Sequence, residues 1–141
     1  MSDAHPDLPD VTSPFTDMLG VTFTELTPAR VVATLEVGTE HTQPYGIVHG
    51  GVYCTLAETV ASIGGVLALG TPDAGAVGQS NQTDFLRATR VGATLTATAI
   101  PVHVGRSVQL WGIDITDHEG RLCAQARVRL FNVTASGVTK A

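Results

Sequence analysis

Between Glu40 and Asp73 the sequence holds one formally charged residue, Glu58. Glutamate is seldom fully buried unless it is paired, and removing an unpaired carboxylate from water costs several kcal/mol. No lysine or arginine lies in the apolar stretch around it. Partners from elsewhere in the chain, or a cavity that holds water, would have to receive the charge. A plain surface glutamate is the alternative; a functional carboxylate tuned by its surroundings is the favoured reading. Just upstream stands Gln43-Pro44-Tyr45-Gly46-Ile47-Val48-His49-Gly50-Gly51. Glycines at the start of a helix keep side chains away from the first-turn N–H groups. Those groups lack intrahelical partners and sit at the positive end of the helix dipole. They can donate to an oxyanion, as acyl transfer requires. Alone, His49-Gly50-Gly51 would pass for an ordinary glycine-rich turn; with Glu58 eight residues on, chemistry is favoured.

Geometry constrains that pairing. Gly50 and Glu58 on one helix are separated by ~12 Å along its axis. A carbonyl polarised by the first and attacked through the second needs both within ~3 Å. Two copies with antiparallel helices could pair Gly50 of one with Glu58 of the other. Such a site would sit at a two-fold interface and occur twice per dimer.

The elements that must position these residues can be read from periodicity. Leu56, Val60, Ile63 and Leu67 form a helical stripe within Gly50 to Leu69, with Ala57, Ala61, Gly64 and Ala68 on other faces. A helix apolar or small nearly all round is expected to be buried. Val31, Ala33, Leu35 and Val37 alternate with Thr34 and Glu36 as a half-buried strand after a Thr27–Pro28 turn. A second strand alternates Leu95, Ala97 and Ala99 with Thr94, Thr96 and Thr98. A third has Leu122, Ala124, Ala126, Val128 and Leu130 on one face, with Arg121, Gln125, Arg127 and Arg129 on the other. Val108 and Leu110 begin another strand, which Trp111, Ile113 and Ile115 continue in the opposite phase; a bulge near Gly112 would explain the slip. Asp117-His118-Glu119-Gly120 has hairpin-turn chemistry. Phe15 to Leu19 could make one helical turn. The expected architecture is α+β, a long central helix wrapped by a mainly antiparallel β-sheet. Residues 1–14 read as a proline-rich arm, 15–133 as one domain and 134–141 as a tail.

Composition narrows the classes. At 141 residues, 43% hydrophobic and 15% charged, the chain is one ordered domain. A net charge of −5 with 8 Lys+Arg disfavours a nucleic-acid surface. Cys54 and Cys123 have no ligand spacing, so neither a disulfide framework nor a metal site is expected, and both read as core thiols of a reducing compartment. The apolar run Val60 to Leu69 falls short of the ~20 residues of a membrane span. No basic segment precedes an apolar one, the first basic residue being Arg30, so the expectation is cytoplasmic, without membrane.

The run from Gly46 to Tyr53 followed by Leu56-Ala57-Glu58 resembles the hotdog-fold acyl-CoA thioesterases of the phenylacetate (PaaI-like) type. Asn81-Gln82-Thr83-Asp84-Phe85-Leu86-Arg87 and Gly120-Arg121-Leu122-Cys123-Ala124 match the same pattern. Glutamate at 58, where many relatives have aspartate, and Val77-Gly78-Gln79-Ser80-Asn81 are similar to the 4-hydroxybenzoyl-CoA thioesterase branch. The likeness spans about residues 15 to 133.

The resemblance implies an acyl-CoA thioesterase acting on an aryl- or medium-chain acyl-CoA, with coenzyme A as part of the substrate and no other cofactor. Glu58 would attack the thioester carbon or activate water; the Gly50 N–H would polarise the carbonyl. Gln43 matches a side-chain amide near that carbonyl, His49 a histidine near the sulfur or oxyanion, and Ser62 a hydroxyl that orients the carboxylate or water. A turn-stabilising role for Gln43 and a helix-packing role for Ser62 stay open. Arg87, Arg90, Gly105 and Arg106 match positions around the nucleotide phosphates, for which arginine's planar donor fork is suited; His103 would lie near that channel. The family's assembly is a homodimer or a homotetramer built as a dimer of dimers, with sites at the subunit interface. Hotdog dehydratases keep their histidine in a different local pattern. A non-catalytic acyl-CoA-binding or sensing module is the alternative, although it would not require a carboxylate at 58.

Overall fold

The computed structural model describes residues 10–134 and Ser136. Residues 1–9 of the expected arm, and 135 and 137–141 of the expected tail, lie outside the described residues. Ser13 caps a short helix α1 (Pro14–Leu19), its hydroxyl accepting the Thr16 N–H and its N–H donating to the Thr16 hydroxyl. A proline suits that first turn because it has no N–H to satisfy there. Strands β1 (Val21–Thr27) and β2 (Arg30–Glu36) follow as a hairpin, then a 3-10 turn at Thr39–His41, the long helix α2 (Gly50–Leu69) and four strands. These are β3 (Ala74–Phe85), β4 (Thr94–Val104), β5 (Val108–Thr116) and β6 (Leu122–Thr134). All six strands form one antiparallel sheet in the order β1-β2-β4-β5-β6-β3.

The sheet curls around α2, which packs against all six strands and most heavily on β3. Leu56, Ala57, Val60 and Ala61 meet Leu95, Trp111, Ile113 and Leu130 in one core. Small residues on the helix set its distance from the sheet. A Cβ at Gly64 would fall 2.7 Å from the Trp111 ring, so only hydrogen lets the indole lie flat against the helix.

Two expectations change in the structure. The helix is buried on one face only: Glu58 and Val66 are exposed in the single chain. At 20 residues α2 is long and apolar enough to cross a membrane by length and composition, although no apolar run in the sequence reaches that length; its core face is packed into the sheet. The phase slip in β5 is absent. Gln109, Trp111, Ile113 and Ile115 all face the core, and Val108 and Leu110 are the outward pair. The irregularity lies instead in β4, between Pro101 and His103, where Val102 is the extra residue.

A fully buried glutamine in the core is tolerated because each polar atom is used. Gln109 Nε2 donates to the Gly65 carbonyl at 3.1 Å and to Asn132 Oδ1 at 2.8 Å, while its Oε1 accepts the Trp111 indole N–H at 2.9 Å. Asn132 Nδ2 then donates to the carbonyls of Gly105 and Arg106, at 2.9 and 3.0 Å, fixing the β4–β5 turn. Cys123 is buried and Cys54 partly buried; both are free thiols. The extra residue in β6 is Cys123, whose carbonyl accepts the N–H groups of Leu86 and Arg87 and ties down the chain leaving β3.

Candidate active site

The loop before α2 is a rigid hairpin. The Gln43 N–H donates to the Ile47 carbonyl and the Gly46 N–H to the Gln43 carbonyl, both at 2.9 Å. Gly46 sits at φ +77°, a backbone conformation side chains rarely adopt. Gln43 Oε1 accepts the Tyr45 N–H, so the side-chain carbonyl serves the turn and the amide NH₂ remains as donor. The far side of the loop is pinned by Val48 N–H to the Thr89 carbonyl at 2.8 Å and by a bridge between Ile47 and Arg90. Buried His41 holds the base of the loop: its Nδ1 accepts the Gly38 N–H, its Nε2 bonds the Leu19 carbonyl, and its own carbonyl accepts the His49 N–H.

His49 is the N-cap of α2. Its Nδ1 accepts the Gly51 N–H at 2.8 Å and its carbonyl the Val52 N–H at 2.9 Å. With Nδ1 occupied as an acceptor, the neutral ring carries its proton on Nε2 and presents a donor. Among the described residues the Gly50 N–H has no partner. The Phe85 ring lies so close to the Gly50 α-carbon that a Cβ there would fall 2.7 Å from Cζ. Phe85 in turn packs on Tyr53 with ring centroids 5.9 Å apart, and the Tyr53 hydroxyl donates to Thr89 Oγ1 at 2.9 Å. Burial pushes the Tyr53 phenol above its ordinary value, the Thr89 bond opposing it only in part, so the group stays a neutral donor.

Glu58 and Ser62 occupy the outward face of α2, one turn apart, in a groove of about 440 Å³ shared with Thr55, Thr59 and residues of α1. The desolvation that the sequence suggests for Glu58 is not supplied by this chain alone, because the side chain is exposed. Its position is nevertheless confined: a Cβ on Gly78 of β3 would fall 2.6 Å from Glu58 Oε1. The hydroxyls of Thr59 and Ser62 make no hydrogen bond among the described residues, whereas Thr55 bonds back to the Gly51 carbonyl at 2.9 Å. Asn81, visible in the sequence only as part of a motif, staples β3 to the middle of the helix: its Nδ2 donates to the Cys54 carbonyl at 2.9 Å and its Oδ1 accepts the Thr83 hydroxyl.

The expected site residues therefore fall into three groups. Gln43, His49 and Gly50 gather at the N-terminal end of α2 with Arg87 and Arg90, which follow β3 there. Glu58 and Ser62 lie further along the helix, Glu58 by ~12 Å from Gly50. Gly105 and Arg106 sit at the opposite end of the sheet. Phe85 is level with Ala97 across β6 and β5, and nine residues of β4 and its turn put Arg106 ~30 Å beyond that level. Among the described residues none of Arg87, Arg90 or Arg106 pairs with an acid, in contrast to Arg30 with Glu25 and Arg121 with Asp117 and Glu119. Arg127 and Arg129 lie on the solvent face of β6, and His103 is exposed beside the bulge in β4.

Comparison with known proteins places this arrangement. The family described as Thioesterase superfamily matches residues 45–124, more than half of the chain. A protein of Mycobacterium tuberculosis, provisionally named an esterase, is 43% identical over 135 residues, covering 92% of this chain and 96% of its own. Its structure superposes with a TM-score of 0.83 at 41% identity, over 87% of this chain and 98% of that one. The proofreading thioesterase EntH of Cronobacter sakazakii is 37% identical over 111 residues, 78% of this chain and 79% of its own. The 1,4-dihydroxy-2-naphthoyl-CoA hydrolase of Listeria monocytogenes is 35% identical over 111 residues, 79% and 89% of the two chains. A Streptococcus pneumoniae thioesterase structure described with coenzyme A has a TM-score of 0.74 at 27% identity, over 81% of this chain and 86% of that one. With its antiparallel sheet closed around one long helix, the chain has the hotdog fold and belongs to the thioesterase superfamily, as an enzyme of the thioester-hydrolase kind.

Proposed function

We propose that the protein hydrolyses an apolar aryl- or medium-chain acyl-CoA to the free acid and CoA, in sites that two copies of the chain build together. The observation that carries this reading is the placement of Gly50 and Glu58 on one helix. The open N–H and the exposed carboxylate are both unengaged, yet too far apart to act on one carbonyl. Strand β3 supports it from the other side: it is twelve residues long, forms the edge of the sheet and, among the described residues, leaves one side of its backbone unpaired. An open edge of that length invites pairing. Two-fold pairing along it would lay the two α2 helices antiparallel, with Gly50 of each beside Glu58 of the other.

In that site the Gly50 N–H, at the positive end of the helix dipole, holds the thioester oxygen as negative charge develops there. The carboxylate of Glu58 either attacks the carbonyl carbon, giving an anhydride that water opens, or takes a proton from the attacking water. Either way one water is consumed, the C–S bond breaks and the sulfur leaves as the CoA thiol. His49 Nε2–H and the Gln43 amide are donors positioned at the same helix end, for the sulfur and the oxyanion; Ser62 orients the carboxylate or the water. Arg87 and Arg90 of one chain, with the partner copy's Gly105–Arg106 turn swung towards them, would grip the CoA phosphates. The CoA in the streptococcal relative and the CoA ester named for the Listeria relative support that substrate class.

The test is complementation. Gln43→Ala and Glu58→Ala proteins, the second expected to lose about 10³-fold, or ~4 kcal/mol of transition-state stabilisation, and the first less, are co-unfolded, mixed and refolded. A mixed dimer holds one site with both lesions and one with neither, so turnover should rise far above that of either variant. Turnover no higher than the mean of the two variants would mean that each site is built from one chain.

A further inference from the structure

We infer that Asn132 is a positioning residue for the CoA nucleotide: it draws the carbonyls of the β4–β5 turn inward, so that the turn offers backbone N–H groups, beside the Arg106 guanidinium, to phosphate. The inference rests on the reading above, in which this turn meets CoA. Three successive carbonyls of the turn end on this one residue. Asn132 Nδ2 donates to those of Gly105 and Arg106, at 2.9 and 3.0 Å, and the Asn132 backbone N–H donates to that of Ser107 at 2.8 Å. In a trans peptide unit the C=O and the following N–H point opposite ways in one plane. Fixing the Gly105 and Arg106 carbonyls on the amide therefore aims the N–H groups of Arg106 and Ser107 away from it. Neither N–H has a partner among the described residues, and both residues are exposed. Successive outward N–H groups beside a guanidinium that pairs with no acid among the described residues form a cradle for an anion.

The direction of that amide is set from the core. The Trp111 indole N–H can only donate, so the Gln109 atom 2.9 Å from it is the side-chain oxygen. That leaves Gln109 Nε2 facing Asn132 at 2.8 Å, where only the amide oxygen can accept it. The Asn132 NH₂ is thereby left for the turn. Gln109 is fully buried and Asn132 half-buried, so one run of side-chain bonds leads from the core beneath α2 to a surface turn. A leucine at 109 would fill the same space without specifying which way Asn132 points. Gly105 closes the turn from its other side. Its N–H donates to the Val108 carbonyl at 2.9 Å, and a Cβ there would fall 2.8 Å from that same oxygen. The backbone of the turn is thus held in one conformation before any ligand arrives, which spares the ordering cost on binding.

The experiment measures kcat and KM of the wild type, Asn132→Leu and Asn132→Asp on three thioesters of one acyl group, octanoyl or benzoyl, whichever turns over faster. The three carriers are CoA, 3′-dephospho-CoA and pantetheine, which lacks the nucleotide altogether. Asn132→Leu frees the turn but also removes the acceptor of Gln109. Asn132→Asp keeps an oxygen for Gln109 Nε2 and sets the other against the two carbonyls, so it disturbs the turn with the core bond intact. Both should raise KM for the CoA ester by about tenfold, the effect of one lost hydrogen bond to a charged group. In both, kcat on the CoA ester and both constants on the pantetheine ester should stay at wild-type values, the mark of lost uniform binding. Asn132→Asp should do this with the smaller fall in melting temperature. The carrier at which the difference from wild type vanishes names the phosphate held: dephospho-CoA for the 3′-phosphate, pantetheine for the diphosphate. An unmoved KM in both variants, or a loss of equal size on the CoA and pantetheine esters, overturns the role given to Asn132 and leaves the hydrolase reading standing. A wild type that hydrolyses neither acyl series removes that reading, and this inference with it.

Discussion

The two ends of α2 are finished in opposite ways. Near its C-terminus the helix meets the Gln109 cluster, a fully buried glutamine in which each polar atom has a partner and whose bonds reach from the Gly65 carbonyl through Asn132 to the Gly105–Arg106 turn. At the N-terminus and along the outward face, Gly50 N–H, the Ser62 and Thr59 hydroxyls and the Glu58 carboxylate are left without partners among the described residues or open to solvent. No buried side-chain nitrogen or oxygen lacks a partner among the described residues. Unsatisfied polar groups are thus kept where a ligand or a second chain can reach them, and satisfied ones lock the framework. A buried amide bonded on all sides specifies one arrangement; an open one is available for binding.

The contrast is sharpest in Gln109→Leu. The substitution keeps roughly the same volume but strands the buried Trp111 indole N–H and removes the donor to Gly65 and Asn132. A loss of about 2–3 kcal/mol is expected, read as a lower urea midpoint with unchanged slope. Glu58→Gln, on the open side, should leave that midpoint where it is and remove turnover instead. Equal destabilisation by both would break the distinction between the two ends.

His49 belongs to both kinds of region, since Nδ1 caps the helix and Nε2 is open. His49→Ala should cost about 1 kcal/mol of stability through the lost cap and lower turnover as well. Asparagine can cap the same N–H, so His49→Asn should restore the melting temperature without restoring kcat. Recovery of both by asparagine would make His49 a cap and nothing more.

The same division explains what could be read beforehand. The helix, the hairpin turns and four strands follow from periodicity, because Leu56, Val60 and Ile63, or Leu95, Ala97 and Ala99, repeat on the face that packs. Strand β3 has no such signal: as an edge strand carrying Gly75, Gly78, Gln79 and Ser80, it owes its place to pairing with β6 over its full length. In β5 the apolar count misleads because a glutamine faces inward, its polarity cancelled by bonds that no local pattern reveals. Glu58, Gly50 and His49 stand out by residue type and spacing. The exposure of Glu58 could not be foreseen, because a helix uniformly apolar in sequence looks the same whether its second face meets the chain's own core or a surface left open. Arg87, Arg90 and Arg106 likewise share a residue type, but topology sends Arg106 to the far end of the sheet.

The smallest effect tests the satisfied side of the comparison at a turn rather than in the core. Between β5 and β6 the chain reverses through Asp117 to Gly120, with Gly120 at φ +76°. The Asp117 carboxylate accepts the N–H groups of Glu119 and Arg121, at 2.9 and 3.0 Å, and the Arg121 Nε–H at 2.8 Å. Burial alone pushes this carboxyl upward, but the Arg121 and Glu119 hydrogen bonds and the guanidinium charge outweigh it, holding it below the usual carboxylate value. A folded-state value below the unfolded one means that the unfolded chain binds protons more readily. The turn's contribution is then complete above the ordinary aspartate range near ~3.9 and fades as pH falls through the lower folded value. Melting temperature followed from neutral pH downward should drop in that acid window for the wild type and less for Asp117→Asn, whose amide does not titrate. Asp117 reaches Gly50 only through Tyr53 and Phe85 and is none of the groups placed on the thioester, so turnover of the variant at neutral pH should match the wild type. A variant with the wild-type acid limb would show that other carboxylates set it, and that the bonded turn is no more pH-sensitive than the open face of the helix.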